Sequence, residues 1–73
     1  MTSRRATQCE AVLQWLRTGR TISVPEAERD LGVYRLAPRI HELRRAGYII
    51  LSIRDPERPD GFVWYLLIGG DAA

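Results

Sequence analysis

Residues 33–47 read VYRLAPRIHELRRAG, and this stretch decides the fold because it predicts an amphipathic helix with a basic outer side. Leu36, Ile40 and Leu43 recur at helical spacing and therefore share one face. Gly47 follows the last of them, where helices commonly end on a left-handed glycine. A cationic helix anchored along its apolar back fits the major groove of DNA. The simpler alternative is a solvated surface helix on an ordinary small domain.

The charge of this helix lies away from its apolar face. On a wheel of about 100° per residue, Arg39 and Arg44 flank the apolar face on either side. Four arginines accompany one glutamate in the stretch, so the outer side is cationic. The far side carries Tyr34, Pro38, His41 and Arg45, with Arg35 and Glu42 beside them.

Pro38 conflicts with a helix that runs through the whole stretch. A proline inside a helix removes one backbone hydrogen bond and collides with the carbonyl four residues earlier. The conflict disappears if the helix starts near Arg35 or Leu36, because Pro38 then lies in the first turn. The alternative is a distorted N-terminal turn.

A capping box lies just upstream of this helix. Ser23 and Glu26 have the required spacing, and Pro25 sits in the first turn, where its missing N–H costs nothing. The pattern predicts a short helix that continues through Leu31 and stops at Gly32. Two helices joined by a turn that contains glycine describe a helix-turn-helix.

The N-terminal part predicts one more helix. Thr7 and Glu10 have capping-box spacing, Ser3 is a competing start, and Gly19 ends the helix. Cys9 lies on its apolar stripe and is interpreted as a small buried hydrophobe rather than a reactive thiol. The stripe consists of Cys9, Val12, Leu13 and Leu16.

Beyond the central helix the apolar period changes to two, which predicts a β-hairpin around the turn-forming sequence DPERPDG. Ile49, Leu51 and Ile53 are expected to face the helices, because Ser52 and Arg54 prefer water.

The second strand of the hairpin, FVWYLLI, is apolar on both faces. The helices can cover only one face of this strand. The other face is therefore expected to form an exposed apolar patch of the kind that marks an interface. A homodimer through the hairpin is the simplest way to bury it, and cover by Trp15 within one chain is the alternative. The two alternating sets are Phe62, Trp64 and Leu66, and Val63, Tyr65 and Leu67.

Length and composition favour one small globular domain. The chain has 73 residues, 45% of them hydrophobic, and a formal net charge of +2. All eleven basic residues are arginine, which suits bidentate contact with phosphate or guanine and is equally typical of a GC-rich genome. Positive charge concentrates in residues 1–23 and 34–54, and negative charge in residues 24–33 and 55–73.

Several classes of protein do not fit these residues. One cysteine and one histidine cannot form a disulfide or a zinc site, so no metal or cofactor is expected. There is no run of about 18 apolar residues and no signal-peptide core, which predicts a cytoplasmic protein without membrane contact. No phosphate-binding loop or activated nucleophile is present, so no catalytic residues and no enzyme activity are expected.

Residues 19–50, GRTISVPEAERDLGVYRLAPRIHELRRAGYII, resemble the small helix-turn-helix proteins of phages and prophages. The resemblance covers about residues 8–51 and rests on the words GRTIS, EA, LGV, RLA, RIHELR and GY. It implies an α+β winged helix-turn-helix, with three helices followed by a two-stranded β-hairpin wing. It also implies a DNA-binding regulator or recombination accessory factor that reads the major groove with the third helix.

The expected organisation is a flexible basic arm over residues 1–6, the domain over residues 7–68 and a frayed tail over residues 69–73. The resemblance makes Tyr34, Arg35 and the outer side of the central helix groove-reading positions. Arg39 is a family position as well, and its flanking location also suits a structural ion pair with Glu26 or Asp30. The DNA-binding candidates are Tyr34, Arg35, His41, Arg45, Arg39, Ser23, Arg4, Arg5 and Arg54.

The tip of the hairpin does not fit a DNA contact well. Residues 55–60 contain three acids and one arginine, whereas a wing that touches DNA usually brings cations to phosphates. The alternative function is therefore a phage-type protein-interaction module, or an inhibitor of a host complex, that keeps the same fold without binding DNA.

Overall fold

The computed structural model describes residues 4–58 and 62–70. Two longer helices and one short helix pack on one face of a small antiparallel sheet. The helices are α1 (Arg4–Arg17), α2 (Val24–Glu26), which continues as a π-helical turn (Ala27–Leu31), and α3 (Leu36–Arg45). The strands are β1 (Ile22–Ser23), β2 (Ile49–Arg54) and β3 (Val63–Gly69).

The capping residues place α2 where the sequence predicts it. The Ser23 hydroxyl accepts a hydrogen bond from the Glu26 N–H at 3.4 Å, and the Ser23 N–H donates to Glu26 Oε1 at 3.1 Å. At the other end Gly32 has φ 67° and ψ 23°, the left-handed region that favours glycine. The Val33 N–H then donates to the Ala27 carbonyl at 2.9 Å, which closes the turn into α3.

The start of α3 resolves the conflict at Pro38. Arg35 is the N-cap residue with φ −129° and ψ 73°, and Leu36 is the first helical residue. Pro38 is therefore third in the helix, within the first turn, where no intrahelical N–H bond is lost. The prediction that the helix starts near Arg35 or Leu36 is confirmed.

Helix α1 begins earlier than predicted. Its first residue is Arg4 rather than Thr7, so residues 4–6 extend the helix instead of belonging to an arm. The competing start at Ser3 and the rest of the expected arm, residues 1–3, lie outside the described residues. The expected tail is also shorter, because β3 continues through Gly69.

The sheet has three strands rather than the two that were predicted, in the order β1-β3-β2. The additional strand pairs Ile22 with Tyr65 and Ser23 with Trp64. It forms because the N-cap residue Ser23 must be extended, at φ −116° and ψ 167°, before the helix can begin. The capping box of α2 thus also supplies an edge strand.

The predicted inner face of β2 is wrong. Ile50 is 5% exposed, whereas Ile49, Leu51 and Ile53 are 56%, 48% and 36% exposed. The pairing sets Ile50 opposite Leu67 on the inner face. Ser52 can lie on that face because its hydroxyl accepts a hydrogen bond from an arginine of α3. The preference of Ser52 and Arg54 for water therefore predicted the wrong orientation of β2.

The pairing also decides the face of β3. Tyr65 and Leu67 pack against the core, so the set with Val63 faces inward. Trp64 and Leu66 face the other way, opposite Ile53 and Leu51 of β2. We call this second side the outer wing face, defined by Leu51, Ile53, Trp64 and Leu66.

The core lies between the helices and the inner face of the sheet. Leu36, Ile40 and Leu43 form the buried side of α3, as predicted. Ala27 is fully buried, and its small side chain lets the π-helical turn approach α1 closely. The buried apolar residues are Val12, Leu16, Ile22, Ala27, Val33, Leu36, Ile40, Leu43 and Ile50.

Candidate nucleic-acid interface

The exposed side of α3 carries a small residue near its N-terminus and an arginine at its C-terminus. Ala37, His41 and Arg45 are exposed on the side opposite the core. Because Ala37 projects only a methyl group, another surface can approach the helix backbone there. His41 and Arg45 follow at spacings of four residues, so all three point the same way.

The turn before α3 adds two more exposed candidates. Tyr34 is 72% exposed, and Arg35 at the N-cap is exposed as well. Among the residues that the structure describes, the guanidinium groups of Arg35 and Arg45 have no hydrogen bond or ion pair. Both cations are therefore available to an external anion.

Arg39 has a different role from the groove-facing candidates. Its side chain is only 13% exposed and forms an ion pair with Glu42 at 3.2 Å. Its Nη1 donates to Gln8 Oε1 at 3.5 Å, and Glu42 Oε2 accepts from Cys9 Sγ at 3.0 Å. The cluster joins α3 to α1, so the predicted structural role fits, while the predicted partners Glu26 and Asp30 were wrong.

Ser23 is buried and fully engaged in the capping box. It is 2% exposed, and its hydroxyl also donates to Glu26 Oε1 at 3.0 Å. The structure therefore places this DNA-binding candidate inside the fold, away from the exposed side of α3.

The wing consists of β2, β3 and the loop between them. Arg54, at the end of β2, is exposed and has no ion pair among the described residues. The tip is occupied with its own contacts: Asp55 Oδ1 accepts from the Glu57 N–H at 3.0 Å, and the Arg58 guanidinium lies 4.1 Å from the Phe62 ring centroid. One available cation thus lies at the end of β2, while the tip is net acidic.

The helix order, the turn at Gly32 and the β2–β3 hairpin together form a helix-turn-helix followed by a wing. A family model described as a winged helix-turn-helix domain matches residues 7–60. The chain belongs to the winged helix-turn-helix domain family. No curated protein and no solved structure matches the chain. The phage and prophage origin suggested by the sequence gains no support from this family match.

Within this winged helix-turn-helix, α2 with its π-helical turn and α3 form the helix-turn-helix, and β2 and β3 form the wing. Arg4 and Arg5 lie in the first turn of α1, but their side chains are outside the described residues, so their contact with DNA stays a prediction. No helix among residues 4–58 and 62–70 has the length and apolar content that a membrane crossing requires.

The sequence reasoning missed the role of Arg44. Its Nε and Nη2 donate to the Ile50 carbonyl at 3.1 and 2.6 Å, and Nη2 also donates to the Ser52 hydroxyl at 2.9 Å. Its guanidinium carbon lies 6.0 Å from the Tyr65 ring centroid. The position of Arg44 could have indicated this role, because it is a basic residue that flanks the apolar face in the last turn of the helix, shortly before a strand.

Proposed function

We propose that this domain binds double-stranded DNA, with the exposed side of α3 in the major groove. The observation that carries the proposal is the division of the α3 arginines. Arg39 and Arg44 are held by protein groups, whereas Arg35 and Arg45 are exposed and available. Among the described residues, neither of these two guanidinium groups has a hydrogen bond or ion pair, so both can meet the phosphates or bases of DNA.

The candidate residues divide into base readers and phosphate contacts. Ala37 allows close approach, His41 and Arg45 can reach base edges, and an arginine can bind guanine O6 and N7 in a bidentate way. Arg35 at the helix start and Arg54 on the wing suit phosphate contacts on either side of the groove. Tyr34 can donate its hydroxyl to a phosphate oxygen, because it is largely exposed beside Arg35.

The finer role follows the sequence resemblance. We propose a small cytoplasmic regulator or recombination accessory factor, with no catalytic step of its own. Arg4 and Arg5 are proposed to contact the backbone or the minor groove near the start of α1, as N-terminal basic segments do in other DNA-binding domains.

The test is fluorescence anisotropy on a labelled duplex of mixed sequence at several salt concentrations. The variant Arg35→Ala/Arg45→Ala should bind more weakly, and its salt slope should fall by about one, because Arg35 is the phosphate contact of the pair and each lost phosphate contact contributes about 0.9. The matched control is Arg20→Ala/Arg29→Ala, which removes the same charge from residues outside α3. Equal behaviour of both variants, or no binding of any duplex at low salt, would reject the proposal.

Self-association is a second candidate, and the outer wing face favours it. Leu51 and Ile53 remain 48% and 36% exposed, because Trp15 packs against the core and donates its Nε1–H to the Thr21 carbonyl at 2.9 Å. We propose that a second copy covers this face across a two-fold axis, since the face is uncharged and can pair with itself. A six-residue strand is about 20 Å long, so the contact is smaller than the roughly 800 Å² per partner of a standard interface.

A further inference from the structure

Arg44 joins three parts of the domain. Its backbone belongs to the last turn of α3, its guanidinium donates to the Ile50 carbonyl and the Ser52 hydroxyl on β2, and it lies beside the Tyr65 ring on β3. The two bonds to one carbonyl come from Nε and Nη2, so the planar guanidinium is fixed in orientation. It is the second-to-last residue of α3, and its charge also complements the helix dipole at that end.

We propose that Arg44 is a positioning residue that fixes the angle between α3 and the wing. Residues 46–48 join the two covalently and Ile50 packs into the shared core, and Arg44 adds directed hydrogen bonds from the last turn of α3 to β2. A wing at a fixed angle can place Arg54 on a phosphate when α3 enters the groove. This proposal deepens the proposed DNA-binding function and rests on it.

The geometry separates Arg44 from its neighbour Arg45. Both are exposed arginines in the last turn of α3, yet within residues 4–58 and 62–70 only Arg44 of the two donates hydrogen bonds. The Nε and Nη2 donors of Arg44 point at the Ile50 carbonyl and the Ser52 hydroxyl, so its guanidinium is directed toward the wing, whereas that of Arg45 is not. The two residues should therefore affect DNA binding in different ways.

Lysine provides the discriminating substitution. A lysine at position 44 keeps the charge but cannot make two donor contacts to one carbonyl in a fixed plane. Arg44→Lys and Arg44→Ala should weaken binding to a similar extent, about tenfold, the scale of one charge-assisted hydrogen bond. Both should lower the salt slope by about one, because the mispositioned wing no longer brings Arg54 to its phosphate. Arg45→Ala is the matched control: it should weaken binding by an amount that does not depend on the residue at position 54, because Arg45 makes no contact with the wing among the described residues.

A double-mutant cycle tests whether Arg44 acts through the wing. Arg54→Ala should weaken binding in the unmodified protein and have a smaller effect when Arg44 is already alanine, because a mispositioned wing no longer delivers Arg54. Additive effects would contradict positioning. Arg44→Lys binding as well as the unmodified protein, with Arg44→Ala losing one unit of slope, would show direct phosphate contact and overturn the proposal.

A measurement without DNA keeps the proposal separate from the DNA-binding function. Backbone ¹⁵N relaxation should show faster motion at Ile53 and Val63 in Arg44→Ala, with Val12 in α1 unchanged and with Arg45→Ala as control. If the unmodified protein binds no duplex, the proposed DNA-binding function is rejected. Faster wing motion in Arg44→Ala would still support the role of Arg44 in fixing the wing angle. Unchanged wing relaxation in Arg44→Ala would overturn the positioning role whatever the binding data show.

Discussion

Replacing Gly32 by valine is expected to destabilise the domain through backbone strain. Gly32 has φ 67°, and a Cβ built there would meet no atom within 4 Å. The Cβ itself therefore meets no neighbouring side chain, and the cost that the structure shows comes from the left-handed conformation. That conformation costs an L-residue about 1–2 kcal/mol.

The net loss of unfolding free energy is expected to be smaller for Gly32→Ala than for Gly32→Val. A residue with a Cβ also restricts the unfolded chain, which returns about 0.4–1 kcal/mol. We therefore expect Gly32→Ala to lose about 1 kcal/mol and Gly32→Val to lose about 2 kcal/mol, because β-branched residues tolerate positive φ least. Gly32→Asn should lose least, since asparagine enters the left-handed region more readily.

Thermal unfolding followed by circular dichroism measures these differences. A loss of 1 kcal/mol lowers Tm by about 4–8 °C in a domain of this size. The matched control is Gly69→Ala, where φ is not positive and the built Cβ also meets nothing within 4 Å, so Tm should stay or rise. An unchanged Tm in Gly32→Val would refute the left-handed cap and with it the boundary between α2 and α3.

Two further predictions concern the C-terminal end and the wing. Gly70→Ala should destabilise more than Gly32→Ala, because Gly70 combines φ 76° with a Cβ position that collides with the Gly47 carbonyl oxygen and the Ile49 nitrogen; the same thermal unfolding compares the two, and an equal loss would contradict the collision. In sedimentation at micromolar concentration, the average mass should rise above the 8.4 kDa of one chain. Leu51→Ser should abolish the rise, whereas a clean monomer at all concentrations would contradict pairing through the outer wing face.

The local signals in the sequence were sufficient to place the helices. Ser23 and Gly32 bracket α2, and Pro38 could lie only in a first turn, so steric rules fixed the start of α3 within a residue. The family match over residues 7–60 agrees with the fold expected from the helix order. Helix boundaries of this kind depend on one or two residues and their own backbone, so they can be predicted from the sequence.

The errors arose where distant residues decide the outcome. A two-residue strand such as β1 has no periodicity, so only its pairing with β3 reveals it. The face of β2 was misjudged because Ser52 finds a donor in Arg44 and does not need water. In the same way, Arg39 pairs with Glu42 and Gln8, and its partners depend on how α1 crosses α3.

The pairing of β1 with β3 has a consequence for folding. It joins Ile22 to Tyr65, so the start of the helix-turn-helix is completed by residues near the end of the chain. Contacts between residues so far apart close a long loop and slow folding relative to a purely helical bundle. We expect the helices to reach their final packing only when β3 is present, because β3 pairs with β1 and carries part of the inner face of the sheet. We therefore expect chains truncated before residue 63 to lack cooperative unfolding, even though every helix is present.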